Sequence, residues 1–118
     1  MKLSNLLLAA CFAAASPMAG AHAALKTAQP AADAVLDKAP KEIVINFNEK
    51  VEAAFSSIAL KDAANNVVAD GKANVDAADA TVLRLALPAL GAGVYSVKWV
   101  GVGHDGHRRT GEYKFTVK

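Results

Sequence analysis

The sequence predicts an all-β fold of about seven short strands, arranged as a two-sheet sandwich or a closed barrel. Three observations predict it. Apolar residues recur at every second position in five separate runs, the period of a strand with one buried face. Turn-forming pairs and triplets, Asn65-Asn66, Asp70-Gly71 and Gly91-Ala92-Gly93, divide the runs at short intervals. The one stretch where a helix is conceivable, the alanine-rich residues 31–40, is closed by Pro30 and Pro40 and reads as a loop.

Residues 23–29 form a first short strand, with Leu25 and Thr27 on one face, and Pro30 ends it. Ile43, Ile45 and Phe47 then alternate with Glu42, Val44, Asn46 and Asn48. Ile58 and Leu60 alternate with Ser57, Ala59 and Lys61. Val67-Val68 follows the Asn65-Asn66 turn as a short strand before Asp70-Gly71. Leu83, Leu85 and Leu87 make the next run, then Tyr95, Val97 and Trp99, then Tyr113, Phe115 and Val117. Side chains two apart share a strand face, so each set is a candidate core stripe. Leu90-Gly91-Ala92-Gly93-Val94-Tyr95 resembles the corner of immunoglobulin-like folds, where a Tyr at a strand start bonds back to the preceding loop.

The chain has 118 residues, enough for one domain. Residues 1–21 read as a cleaved secretory signal peptide. Lys2 gives a basic start, residues 6–15 an apolar run, Pro17 a break, and Ala19-Gly20-Ala21 a small-x-small cleavage site. The run is shorter than the roughly 20 residues of a membrane span, so no stable membrane insertion is expected after cleavage. Ala21-His22-Ala23 also fits the cleavage pattern, leaving cut points after Ala21 and after Ala23 both open. The single Cys, Cys11, and both methionines, Met1 and Met18, fall in the leader. Residues 22–118 therefore carry no disulfide and no sulfur ligand, which excludes soft-metal chemistry through sulfur. Lys and Arg number 13 against 11 Asp and Glu, and the leader holds one of the former, Lys2. So even a balance argues against nucleic-acid binding, which needs a basic face.

Chemistry concentrates in Gly103-His104-Asp105-Gly106-His107. It holds two of the three histidines; the third is His22, the first residue after a cut at Ala21. A terminal His offers its amine and its imidazole to one metal ion. Asp105 and His107, two apart around a glycine, point to one side if the segment is extended or bulged. Together they give three nitrogens and one oxygen. Such a set favours Cu(II), with Ni(II) as rival, whereas Zn(II) prefers a tetrahedron. Amines and imidazoles coordinate only after losing their protons, so binding should weaken in mild acid. His104 then points away from the pair.

At this level of detail the chain resembles the CopC/PcoC family of periplasmic copper-resistance proteins. The resemblance runs from His22-Ala23-x-Leu25 through Pro30-Ala31, Ala39-Pro40 and Ile45-Asn46-Phe47-Asn48-Glu49-Lys50-Val51. It continues in Gly93-Val94-Tyr95-Ser96-Val97-Lys98-Trp99, Asp105-Gly106-His107 and Gly111-x-x-x-Phe115-x-Val117. It implies a seven-stranded Greek-key barrel related to immunoglobulin folds, with residues 22–118 as one copper-binding domain. It implies one Cu(II) per chain, held by His22 with its amine, Asp105 and His107, with Glu49 at the periphery; His104, from its place beside the motif, is a further peripheral candidate, as an outer ligand or a hydrogen-bond partner of one. It also implies periplasmic localisation and an inner-membrane CopD-like copper transporter as partner of a monomer. Some members add a methionine-rich loop for Cu(I); with no methionine after the leader, that second site is not expected here.

Two other functions compete. A histidine brace also serves copper oxygenases, but Asp105 would fill one copper position and no Ser/His/Asp or paired-carboxylate arrangement points to hydrolysis; the expectation is no enzyme. An immunoglobulin-like interaction module with incidental histidines would bind no metal and would be indifferent to loss of His22.

Overall fold

In a computed structural model of the chain, described for residues 24–70 and 73–118, the period-2 runs are strands. In chain order they are β1 Leu25–Gln29, β2 Val35–Leu36, β3 Glu42–Phe47, β4 Ser57–Lys61, β5 Val67–Ala69, β6 Asn74–Val75, β7 Val82–Ala86, β8 Gly93–Val102 and β9 Arg108–Val117. One sheet has the order β1-β3-β7-β6 and the other β2-β9-β8-β4-β5. The pairings are antiparallel, except that β2 lies parallel to the end of β9, with Val35 opposite Thr116 and Leu36 opposite Val117. The result is an immunoglobulin-like Greek-key β-sandwich: the alternation predicts its strands and layering, and the family resemblance implies its topology.

The core lies between the sheets and takes the predicted stripes. Ile43, Ile45 and Phe47 of β3 and Leu83 of β7 face Ile58 and Leu60 of β4, Val97 of β8 and Phe115 of β9; all are sealed from solvent. Burying such a side chain is worth about 1.5–3 kcal/mol, which makes these residues the main source of stability. Phe47 meets Trp99 edge-on with ring centroids 5.4 Å apart, and Tyr95 stacks on Phe115 at 5.5 Å. The Tyr95 hydroxyl donates to the Gly91 carbonyl at 2.8 Å, closing the corner expected from the sequence.

On the outer face of the first sheet, Arg84 bridges Glu42 and Asp76, each at 2.9 Å, tying β3, β7 and the end of β6 together. Asp62 accepts the N–H groups of Ala64 and Asn66, and Asn65 takes a positive φ of 67°. These bonds form the turn that Asn65-Asn66 announces.

The structure departs from the sequence reading in four places. Leu25 and Thr27 do not share a face: a register shift between them breaks the alternation, leaving Thr27 exposed while Leu25 and Ala28 pack against the core. The loop at 31–40 contains β2, which exists because Thr116 and Lys118 donate to Ala34 and Leu36 carbonyls. β6 is a further two-residue strand beside β7. Finally, β8 and β9 run to ten residues each, so residues 103–107 are the turn at the tip of a long hairpin, where an extended or bulged segment was expected. The expectations for residues 1–23 and for Gly71 lie outside the described residues.

Candidate metal centre

β8 and β9 remain paired as far as Val102 and Arg108, and the five residues between them must reverse the chain. Gly103 N–H donates to the His107 carbonyl at 3.2 Å, and Gly106 N–H donates to the Gly103 carbonyl at 3.0 Å. Gly106 has φ +80°, a conformation open to glycine and resisted by other residues. This turn, and not strand alternation, brings Asp105 and His107 together. Asp105 Oδ1 accepts the His107 backbone N–H at 3.0 Å, and Asp105 Oδ2 lies 2.9 Å from His107 Nδ1. The carboxylate and the Nδ1 edge of the ring face each other, so a cation that took the place of the proton between them would meet one oxygen and one nitrogen donor. The His107 side chain is 61% exposed and that of Asp105 37%, so an ion can reach them from solvent.

A second carboxylate arrives from the loop after β3. Glu49 Oε1 sits against Gly103, where a β-carbon would collide with it; the same point lies 3.1 Å from Asp105 Oδ1. Two carboxylates thus converge on one bare α-carbon, a cradle with oxygen donors suited to a cation. Val51 pairs with Gly103 in an isolated bridge, which brings this loop to the turn.

The beginning of β1 is drawn to the same end of the sandwich. Ala24 N–H donates to Asn48 Oδ1 at 2.8 Å, and Asn48 N–H donates to the Ala24 carbonyl at 3.0 Å. Asn48 directly precedes Glu49. The described chain therefore begins beside the carboxylate that faces Gly103. His22, two residues earlier, lies outside the described residues.

His104 turns to Glu52, with Nδ1 at 2.5 Å from Oε1. Of the five residues singled out in the sequence, the fold pairs Asp105 with His107, brings Glu49 and Asp105 both against Gly103, and pairs His104 with Glu52. Among the described residues, no three His, Cys, Asp or Glu side chains cluster closely enough to hold a metal by themselves. Sequence reasoning missed Asn48, Glu52 and Ser56, whose hydroxyl accepts Val102 N–H at 3.1 Å. Asn48 stands in the 45–51 motif without a role assigned to it, and no local pattern marks Glu52 or Ser56, because their partners come from across the fold.

Residues 25–118 match the model of the CopC domain. The chain is 36% identical over 104 residues to protein YobA of Escherichia coli (strain K12), spanning 87% of this chain and 84% of that protein. Among solved structures it is similar to CopC from Methylosinus trichosporium OB3b, with a TM-score of 0.79 and 36% identity over 82% of this chain and 94% of that one. It is also similar to PcoC, a methionine-rich copper resistance protein from Escherichia coli, with a TM-score of 0.73 and 36% identity over 83% of this chain and all of that one.

Proposed function

The chain belongs to the CopC domain family, and from that premise we propose that it is a periplasmic Cu(II)-binding protein of copper homeostasis and resistance. In this reading residues 1–21 are removed on secretion and the mature domain begins at His22. The terminal amine and imidazole of His22, the Asp105 carboxylate and the His107 imidazole hold one Cu(II) per chain, with Glu49 at the periphery. Nitrogen-rich donor sets of this kind select Cu(II) over the other divalent first-row ions. The copper is cargo: a monomer holds it and delivers it to an inner-membrane CopD-like transporter. It is a carrier, not an enzyme, since Asp105 takes a position that an oxygenase keeps open. Binding weakens in mild acid as the amine and imidazole ligands regain protons.

One observation carries the reading: the hairpin turn joins Asp105 to His107, beside Glu49 and beside the start of β1. Ala24 bonds to Asn48, the neighbour of Glu49, and in this reading His22 reaches the metal from that end of the sandwich. The absence of methionine after position 18 sets this chain apart from the methionine-rich relative and favours Cu(II) alone. The test is a competition titration of Cu(II) against a chelator of known affinity, using the mature chain and its Asp105→Ala and His107→Ala variants. Loss of about 100-fold or more in each supports the site; Cu(II) affinity equal to that of the parent in both refutes it.

A further inference from the structure

The 103–107 turn is fastened to the loop 48–56 by a ladder of contacts. Val51 and Gly103 pair as a bridge. Glu52 N–H donates to the Val102 carbonyl at 2.7 Å, and Val102 N–H donates to the Ser56 hydroxyl, which is buried. These contacts use the backbone or a buried hydroxyl and keep the two segments together whatever side chain stands at position 104. The outermost contact is different. His104 Nδ1 meets Glu52 Oε1 at 2.5 Å, with side chains 62% and 42% exposed. An exposed pair adds little to stability, so the fold does not require it.

Its place explains it. His104 stands between Gly103, against which Glu49 and Asp105 both lie, and Asp105 itself. An unrestrained imidazole there has the same donor chemistry as His107 and the same access from solvent. We propose that Glu52 is a positioning residue for the metal centre: it engages the His104 imidazole, so that His107 and not His104 supplies the ring nitrogen. The same bond anchors the entry to the turn, which limits where the Asp105 carboxylate points. This inference rests on the reading that Asp105 and His107 bind Cu(II).

The mature chain is compared with Glu52→Gln, Glu52→Ala, Glu52→Ala combined with His104→Gln, and Asp105→Ala, using Cu(II) electron paramagnetic resonance and chelator competition. Glu52→Gln keeps an acceptor for Nδ1–H and retains the single parental spectrum. Glu52→Ala releases His104: the spectrum splits into two copper species and affinity falls about tenfold, the scale set by outer partners of metal ligands. Adding His104→Gln removes the second species. The melting temperature of each metal-free variant stays at that of the parent, which separates positioning from unfolding. A Glu52→Ala protein with the parental spectrum and affinity, while Asp105→Ala loses copper, overturns the role of Glu52 and leaves the copper site standing. Retention of full affinity by Asp105→Ala removes the site and this proposal with it.

Discussion

Glu49 lies against Gly103, so close that a β-carbon at position 103 would run into its Oε1. The absence of a side chain there lets a carboxylate from the loop after β3 approach the hairpin turn. Gly103→Ala should push the Glu49 carboxylate aside and crowd Asp105, whose Oδ1 lies 3.1 Å from the new atom. What yields is the end of a flexible side chain, so stability should change by less than about 1 kcal/mol. Cu(II) affinity should fall about tenfold. Urea unfolding and chelator competition on the same variant separate the two effects.

Gly111 answers to a different constraint. It faces Trp99 across the β8–β9 ladder, and a β-carbon there would meet the indole ring at Cε2, Nε1 and Cζ2. The ring cannot swing away, because it is 8% exposed and packs edge-on against Phe47. Gly111→Ala should therefore destabilise by about 1–3 kcal/mol, read from the midpoint of urea unfolding. An unchanged midpoint would mean that the indole has room that the packing denies.

The two tyrosines make a controlled pair. The Tyr95 hydroxyl donates to Gly91, whereas the Tyr113 hydroxyl is buried with no partner among the described residues. Tyr95→Phe should cost about 1 kcal/mol, and Tyr113→Phe should gain about as much by removing an unsatisfied polar atom. Burial pushes the Tyr113 phenol up to about 12. Its folded value is thus above the ordinary 10.0. The contribution is whole below 10.0 and is lost as the pH rises toward the folded value. Tyr113→Phe should flatten that alkaline decline in a stability-against-pH series.

In the acid range, Asp76 matters. The Arg84 guanidinium, with the Ala78 backbone N–H, holds its carboxyl below the usual 3.8 against an opposing effect of desolvation. A depressed folded value contributes stability that is present above 3.8 and disappears as pH falls through the folded value. Asp76→Asn should lower the unfolding midpoint at neutral pH, with the difference from the parent closing in acid. A gap that persists unchanged at low pH would show that Asp76 acts through packing.

Much of this was legible in the chain itself. β3, β4, β7 and the cores of β8 and β9 follow from alternation, because a half-buried sheet imposes period 2 on its own sequence. Tyr95 and the Asn65-Asn66 turn were readable because their chemistry is local. β2 and β6 were not: a two-residue strand exists only through its neighbour, here the ends of β9 and β7. Thr27 was misplaced by a bulge that no residue type announces. Asp105 and His107 do meet, as their spacing suggested, but through a turn in which Gly106 reverses the chain where an extended or bulged segment was expected. Glu52 was invisible, because its partner His104 is set by the Val51–Gly103 bridge and not by spacing.

In the proposed reading the mature amino terminus completes the copper site that Asp105 and His107 begin. The most direct measurement is Cu(II) titration with electron paramagnetic resonance on two proteins, one beginning at His22 and one at Ala24. We predict tight one-to-one binding with a tetragonal, nitrogen-rich spectrum in the first, and a loss of about 100-fold or more with a changed spectrum in the second. Equal affinity and identical spectra in both would rule out the amino-terminal site, because His22 would then contribute nothing to the metal.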